Sequence, residues 1–193
     1  MERRRSRRPG GGGQEGPTPG SPADSVPEAD PYAVARAIVL RQLTGSPKSR
    51  RQLADKLADR DVPPEVADAV LDRFEEVQLV DDAEFARMWV RSRVQSRSLA
   101  RSAIRRELAD KGIADELAEE ALEQVSSDDE LKAARDLVQR KLRNAAIPGD
   151  RQERDKQVRR LVSMLARKGY SPSLGFSVVN EALEVHAADG HSG

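Results

Sequence analysis

One nineteen-residue pattern occurs three times in this chain, and it constrains the fold more than any other feature. The copies read LADKLADRDVPPEVADAVL, IRRELADKGIADELAEEAL and LVSMLARKGYSPSLGFSVV, and they begin at Leu53, Ile104 and Leu161. Their offsets are 51 and 57 residues, with no gap inside a copy. Apolar or aromatic residues recur at the first, fifth, tenth and fourteenth positions. This spacing predicts a helix, a tight turn and a second helix.

A further apolar-periodic segment lies upstream of each copy, so the repeating unit has three helices. These segments are residues 32–43, 84–94 and 130–142. We predict an all-α fold of three tandem three-helix-bundle repeats forming an elongated, curved body, because each small bundle contacts only its neighbours. The repeats are assigned to residues 31–80, 81–126 and 127–186. The Arg/Gly/Pro-rich residues 1–30 and the C-terminal residues 187–193 are predicted to be disordered.

Capping signals mark the ends of these helices. A capping residue precedes a proline at Asp30-Pro31, Ser46-Pro47 and Ser171-Pro172. Capping-box spacing occurs at Asp81 with Glu84, Ser127 with Glu130 and Asp150 with Glu153. Gly112 and Gly169 each follow a lysine where a helix is expected to end.

The residue inventory gives little support for catalysis. Cysteine is absent, so thiolate nucleophiles and Cys-based metal sites are excluded. The glycines at 10–13 lack the strand and the Lys-Ser/Thr of a phosphate loop, and His186 and His191 lack the spacing of a metal pair. We expect a non-enzymatic binding protein without metal or cofactor. No apolar run approaches the ~20 residues of a membrane span, and we expect a cytoplasmic protein.

Positive charge is concentrated in the middle repeat, although the whole chain has 33 basic and 33 acidic residues. Seven arginines occur within twenty residues, and we predict that they bind a partner or DNA: Arg87, Arg91, Arg93, Arg97, Arg101, Arg105 and Arg106. Arg offers a planar fork of donors that suits phosphate or carboxylate. Five acidic residues follow between Asp115 and Glu123. Two interpretations stay open, an external anionic partner and pairing with these acids inside the repeat.

Two neighbouring features have similarly open interpretations. Phe85 and Trp89 lie one turn apart and are expected to face the core, although Trp89 is also a candidate for stacking on a nucleic-acid base. The five arginines of residues 1–8 suit either a solvated tail or contact with nucleic acid or an acidic surface.

The segments LVDDAEFARMWVRSR, IRRELADKGI and RRLVSMLARKGYS resemble the bacterial RecX family, regulators of the RecA recombinase. The resemblance covers residues 31–186, and its most specific part is the motif Asp81-Asp82-x-x-Phe85-Ala86-x-x-x-Val90. It implies tandem three-helix repeats and no enzymatic activity. One departure is local, because the family often has Gly near the start of the second helix of this repeat, where this chain has SLARS.

The resemblance also implies a partner. RecX proteins bind along the groove of the RecA–DNA filament and inhibit its ATP hydrolysis, strand exchange and co-protease function in recombination and the SOS response. Basic residues of the middle repeat are implied to approach the filament and its single- or double-stranded DNA. We expect a monomer, since no coiled-coil or extended apolar face is evident.

Two other functions are compatible with the sequence. The segment SRRQLADKLADRDVPPEVADAV has the pattern of a helix-turn-helix DNA-binding regulator, but its second helix is acidic, whereas a recognition helix should be basic. An adaptor for an unrelated protein is the other alternative. Sequence preference for duplex DNA would favour the first, and indifference to recombinase and DNA would favour the second.

Overall fold

A computed structural model describes residues 30–143, 145 and 148–190, and this part of the chain contains nine helices and no strand. The helices are α1 (Pro31–Gly45), α2 (Arg50–Ala58), α3 (Pro64–Glu76), α4 (Asp82–Arg97), α5 (Arg101–Asp110), α6 (Asp115–Leu122), α7 (Ser127–Leu142), α8 (Arg151–Arg167) and α9 (Pro172–Gly190). They pack as three successive bundles, which we call the first unit (α1–α3), the second unit (α4–α6) and the third unit (α7–α9). The predicted all-α fold of tandem three-helix repeats is confirmed.

Each unit has its own hydrophobic core, formed by the apolar positions of the repeat. Leu53, Ile104 and Leu161 lie in three separate clusters of buried residues. The next positions of the pattern, Leu57, Leu108 and Leu165, are fully buried. Each unit therefore buries one apolar stripe per helix, and Ala100 at the start of α5 packs into the core of the third unit. The units are otherwise joined by polar contacts.

Several helix starts agree with the capping signals, and two do not. The side chains of Asp30, Asp81 and Asp150 accept backbone N–H groups at the starts of α1, α4 and α8. The start predicted at Ser171-Pro172 also agrees, since α9 begins at Pro172 and Ser171 Oγ accepts the Leu174 N–H over 3.3 Å. The starts predicted at Ser46 and Ser127 were wrong. Helix α2 begins after Ser49, whose capping box with Gln52 replaces the expected Ser46-Pro47 start, and α7 begins after Ser126, boxed with Asp129. In both cases the serine used is the one whose box closes on both sides.

The two ends of the chain were predicted to be disordered. Residues 1–29 lie outside the described residues, as do residues 191–193. Helix α9, however, continues to Gly190 rather than ending at residue 186. The reason is local, since Ala187 and Ala188 are strong helix formers that extend the last turns.

The first joint connects the α5–α6 turn of the second unit to the start of α2 in the first unit. Ser49, which is fully buried, donates its Oγ–H to the Lys111 carbonyl over 2.6 Å. The Asp82 carboxylate of α4 accepts the Arg50 N–H over 2.8 Å. Half-burial raises the pKa of Asp82, although this hydrogen bond and the Arg50 charge oppose the rise. A carboxylate of the second unit thus satisfies a free N–H at the start of α2.

The second joint repeats this geometry between the third and second units. Lys168 corresponds to Lys111, and its carbonyl accepts the Ala100 N–H over 3.0 Å at the start of α5. Ala100 has no capping side chain, so Glu130 of α7 accepts the neighbouring Arg101 N–H over 3.2 Å. The Tyr170 hydroxyl donates to the Ser98 carbonyl over 3.0 Å. Ser98 has a left-handed φ of 47° in the SLARS segment, where the RecX resemblance led us to expect a glycine.

The turn glycines make this close approach possible. Gly112 and Gly169 have φ of 75° and 91°. A Cβ on Gly169 would lie 2.6 Å from the Ala103 Cβ and 2.8 Å from the Ala103 nitrogen, and a Cβ on Gly112 would overlap Arg51. The equivalent turn of the first unit carries Asp61 at φ 57° and approaches no preceding unit within the described residues. Glycine therefore occurs in the two turns that pack closely against the preceding unit.

We expect Gly169→Ala to weaken the second joint. The left-handed backbone costs an Ala about 1–2 kcal/mol, and the added Cβ must also displace the Ala103 backbone. Urea unfolding followed by circular dichroism should show the loss. Asp61→Gly and Asp61→Ala form the matched control pair, because the difference between them measures the Gly-to-Ala change in a left-handed turn of the first unit. If Gly169→Ala costs no more than this difference, the close approach contributes nothing.

Alkaline titration should report on the same joint. Burial raises the pKa of the Tyr170 phenol to about 12, and the Glu130 charge adds to the effect. Between the ordinary pKa of about 10 and this value, the folded chain binds the proton more tightly than the unfolded chain, so stability falls as pH rises. In a Tyr32→Phe variant, tyrosinate absorbance should appear near pH 12. Ionisation near pH 10 with the fold intact would contradict a buried Tyr170.

Candidate partner-binding surface

The seven arginines of the middle repeat lie on α4 and α5 because the apolar residues of these helices face the core of the second unit. Phe85, Ala86 and Val90 are buried on α4, and Ile104 and Leu108 are buried on α5. The basic positions between them are left at or near the surface. Their contacts decide which of them are available to a partner.

Arg87 and Arg91 share one carboxylate on the outer side of α4. The Nε–H of Arg87 donates to Glu84 over 3.0 Å, and Arg91 donates to the other oxygen of Glu84 over 3.1 Å. Arg87 also reaches Glu120 of α6 over 3.3 Å. The hydrogen bond from Arg87, followed by that from Arg91, lowers the pKa of Glu84. These pairs are exposed to solvent, so they contribute little to stability and a competing anion can replace them.

Arg93 is held within the second unit by an aromatic ring and a carboxylate. Its guanidinium lies 3.7 Å from the ring centroid of Trp89, and its Nε–H donates to Glu107 over 2.5 Å. Glu107 also accepts the indole N–H of Trp89 over 2.8 Å, and the Lys111 ammonium lies 4.0 Å from the ring centroid. The side chains of Arg93 and Glu107 are 17% and 28% exposed. Trp89 stacks on Phe85 and packs, partly buried, against the core of the second unit, which supports the core interpretation over base stacking.

Arg101 and Arg105 are engaged with α6 and its C-terminal end. Arg101 donates to the Val125 carbonyl over 3.0 Å. The corresponding Arg50 of the first unit binds Asp72 and Glu75 in the same way, as a bridge between the second and third helices of its unit. Arg105 forms an ion pair with Glu119, and both side chains are about half exposed. Arg101 is therefore a bridging residue, and Arg105 is held by a pair that a competing anion can displace.

The guanidinium groups of Arg97 and Arg106 have no carboxylate partner within the described residues. Both residues are exposed. Internal pairing thus accounts for most of the arginine cluster, and Arg97 and Arg106 are the positions most open to an external anion. A further group of cations without carboxylate partners in the described residues lies at the second joint. Sequence reasoning noted three of them, Arg140, Lys141 and Arg160, as a looser basic theme of the third unit but did not assign them to a site.

No helix in the described residues is long and apolar enough to cross a membrane. The same part of the chain has no cluster of three or more His, Asp or Glu side chains arranged to hold a metal ion.

Comparison with known proteins places these features in a family. A sequence model of the first three-helix domain of RecX matches residues 35–74, and a model of the second domain matches residues 81–122. The regulatory protein RecX of Streptomyces lividans is 52% identical over 84% of this chain and 85% of its own length. That of Streptomyces coelicolor is 51% identical over the same shares of the two chains. The chain belongs to the RecX family.

A solved structure agrees with this assignment at the level of the fold. The crystal structure of RecX from Lactobacillus salivarius has a TM-score of 0.69 at 21% identity, and the match covers 80% of this chain and 98% of that one. The second RecX domain, at residues 81–122, contains all seven arginines. The seven arginines therefore lie within the matched domain rather than in a segment outside it.

We expect Arg93→Ala to destabilise the second unit. The change leaves Glu107 half-buried without its ion and removes a cation from the Trp89 ring, at a combined cost of about 2–3 kcal/mol. Trp89 fluorescence should change together with the urea midpoint. Arg106→Ala is the matched control, and its unfolding free energy should stay within about 0.5 kcal/mol of wild type. A neutral Arg93→Ala variant would show that this arginine is free to serve a partner.

Proposed function

We propose that this chain binds the RecA–DNA filament and inhibits the ATP hydrolysis, strand exchange and co-protease activity of that filament, acting in recombination and the SOS response by binding rather than by catalysis. The observation that carries the proposal is its 52% identity, over most of its length, to a regulatory protein RecX. The relatives are named regulatory proteins, which supports a non-catalytic role.

The architecture suits this role. Units joined in series present a long surface, and a filament groove is a long binding site. A net charge of zero limits nonspecific attraction to DNA, while divided patches of both signs can pair with a protein and with phosphates. We assign the filament contact to the exposed arginines of the second unit, above all Arg91, Arg105 and Arg106.

We propose that the chain acts as a monomer, because both ends of the row oppose the addition of another unit. Asp61 stands where Gly112 and Gly169 admit the preceding unit. At the other end, α8 starts at Arg151, so Gln157, which corresponds to Ser49 and Ala100, lies within a helix. The first unit therefore has no glycine turn with which to dock on another unit, and the third unit has no helix start at which another unit could dock.

The helix-turn-helix alternative is less well supported. Helix α3 would be its recognition helix, but Asp68, Asp72 and Glu75 lie within reach of Arg50 and give this surface a negative character. Such a helix would repel the phosphates of a major groove.

The test is single-strand-dependent ATP hydrolysis by RecA of the same organism, titrated with this chain. Inhibition well below one copy per RecA is expected. Arg91→Ala with Arg106→Ala should raise the concentration for half-inhibition roughly fivefold to thirtyfold, since about 0.5–1 kcal/mol is lost with each ionic contact.

Arg41→Ala with Arg60→Ala is the control, because it removes the same charge from exposed positions of the first unit. The control should inhibit like wild type. No inhibition by the wild-type chain at equimolar amounts would refute the proposed function, whereas equal effects of the two double variants would refute the assigned surface.

A further inference from the structure

The two joints have the same backbone geometry but different charge. Buried Ala134 and Val138 of α7 take the places of Ala86 and Val90 of α4, so α7 follows α4 at an offset of 48 residues. The first unit aligns with the second at an offset of 51 residues, and α5 aligns with α8 at an offset of 57 residues. Each residue of the second joint can therefore be compared with its counterpart in the first. The first joint then serves as an internal reference for the second.

The first exchange removes a carboxylate. Arg93 is neutralised by Glu107 beside the first joint. The corresponding residues beside the second joint are Lys141 and Met164, which line one groove between α7 and α8. The second joint thus keeps a cation at this position, but an apolar methionine replaces the carboxylate that neutralises it in the first joint.

The second exchange adds cations. Ser46 and Ser92 at the first joint correspond to Arg97 and Arg140 at the second. Both arginines are exposed, and neither has an ion-pair partner in the described part of the chain. Lys168 replaces Lys111, but Trp89, whose ring faces Lys111, is replaced by Leu137. Two carboxylates of α7 must be considered. Glu130 is already occupied by the Arg101 N–H, and Asp136, one turn before Arg140, forms no ion pair with these cations in the described residues.

Lys168 is fixed within this group of like charges. Its ammonium donates to the Arg97 carbonyl over 2.5 Å. Partial burial lowers the pKa of Lys168, and the positive charges of Arg140, Arg97 and Lys141 lower it further. A counter-anion at this joint would relieve that repulsion.

The positive surface continues along the groove between α7 and α8, which has a volume of about 270 Å³. Arg160 and Arg167 line it together with Lys141 and Met164. Residues 160, 164 and 167 have the spacing of one helix face, so the two arginines flank the methionine over about 10 Å of helix. Neither arginine has a carboxylate partner among the described residues.

We propose that these six cations form a binding site for the phosphodiester backbone of DNA. The site, which we call the second-joint cluster, consists of Arg97, Arg140, Lys141, Arg160, Arg167 and Lys168.

The composition of the cluster favours DNA over an acidic protein. Protein–protein interfaces are depleted in Lys and centre on aromatic anchors, whereas protein–DNA interfaces are far more positively charged. The cluster has two lysines, no aromatic ring among its lining residues and no carboxylate where the first joint has one. Phosphates spaced along a strand suit a row of cations that extends from the joint into a groove.

This site adds a DNA contact to the proposed function, but its test needs no recombinase. Fluorescence anisotropy of labelled single-stranded and duplex oligonucleotides, titrated with the full chain between about 50 and 200 mM salt, gives an affinity and a salt slope for each. The variant Arg97→Ser with Arg140→Ser installs the residues of the first joint.

The affinity of this variant should fall roughly 20- to 60-fold near 0.1 M salt, and its slope by about 1.4 for single strands or about 1.8 for duplex, the loss of two phosphate contacts. The form of DNA, single-stranded or duplex, whose affinity falls more in the variant is the form that occupies the site. Met164→Glu, which restores the carboxylate of the first joint, should weaken binding in the same direction. Arg97 and Arg140 are exposed, whereas Met164 is partly buried against the core of the third unit. Unchanged circular dichroism and an unchanged urea midpoint should therefore confirm the folding of both variants before their affinities are compared.

Arg41→Ser with Arg60→Ser is the control for net charge and should retain affinity and slope. Three outcomes overturn the proposal: no DNA binding by wild type near 50 mM salt, equal losses for cluster and control variants, or a cluster variant that binds DNA normally while losing filament inhibition. The last result would assign the cluster to an acidic protein surface. Failure of filament inhibition with DNA binding intact would instead refute the proposed function and leave this site standing.

Discussion

The carbonyl of a lysine–glycine turn, docked on the start of a helix in the preceding unit, is the contact on which the arrangement of this protein depends. Each three-helix core is formed almost entirely by its own unit, and only Ala100 of the second unit enters the core of the next. The cores therefore do little to orient one unit against the next. The Lys111 and Lys168 carbonyls meet a hydroxyl in one case and a backbone N–H in the other. The two joints thus have the same geometry although the donors differ, because either donor satisfies the carbonyl of the turn.

Carboxylates from the following unit complete each joint. Asp82 and Glu130 supply acceptors to helix starts whose own residues leave N–H groups free. Capping of α5 is therefore a tertiary interaction, since Ala100 has no side chain able to cap. Folding of one unit and docking of the next are consequently coupled, and this coupling gives a row of marginal bundles a defined shape.

The distribution of charge follows from the same repeat. Within the second unit, carboxylates from three helices neutralise arginines that look in sequence like one uninterrupted basic surface. Arg93 illustrates the difference, because an Arg at that spacing is read as exposed, whereas Glu107 and Trp89 hold it in the structure. The second joint has the opposite character, since Met164 stands in the place of Glu107 and the neighbouring cations stay unpaired.

The sequence by itself determined the helical class, the three-unit repeat and the core positions, because each depends on apolar spacing within about twenty residues. It also identified the turn glycines and most of the helix starts, which are local chemistry. It misplaced the starts of α2 and α7. At each of these starts two serines can cap the helix, and the one that forms a complete capping box, Ser49 or Ser126, is used. Tertiary structure alone decided which cations are free, since an ion pair such as Arg87 with Glu120 joins residues far apart in the chain. It also decided why Gly112 and Gly169 must be glycine, because the atoms that exclude a Cβ belong to another unit.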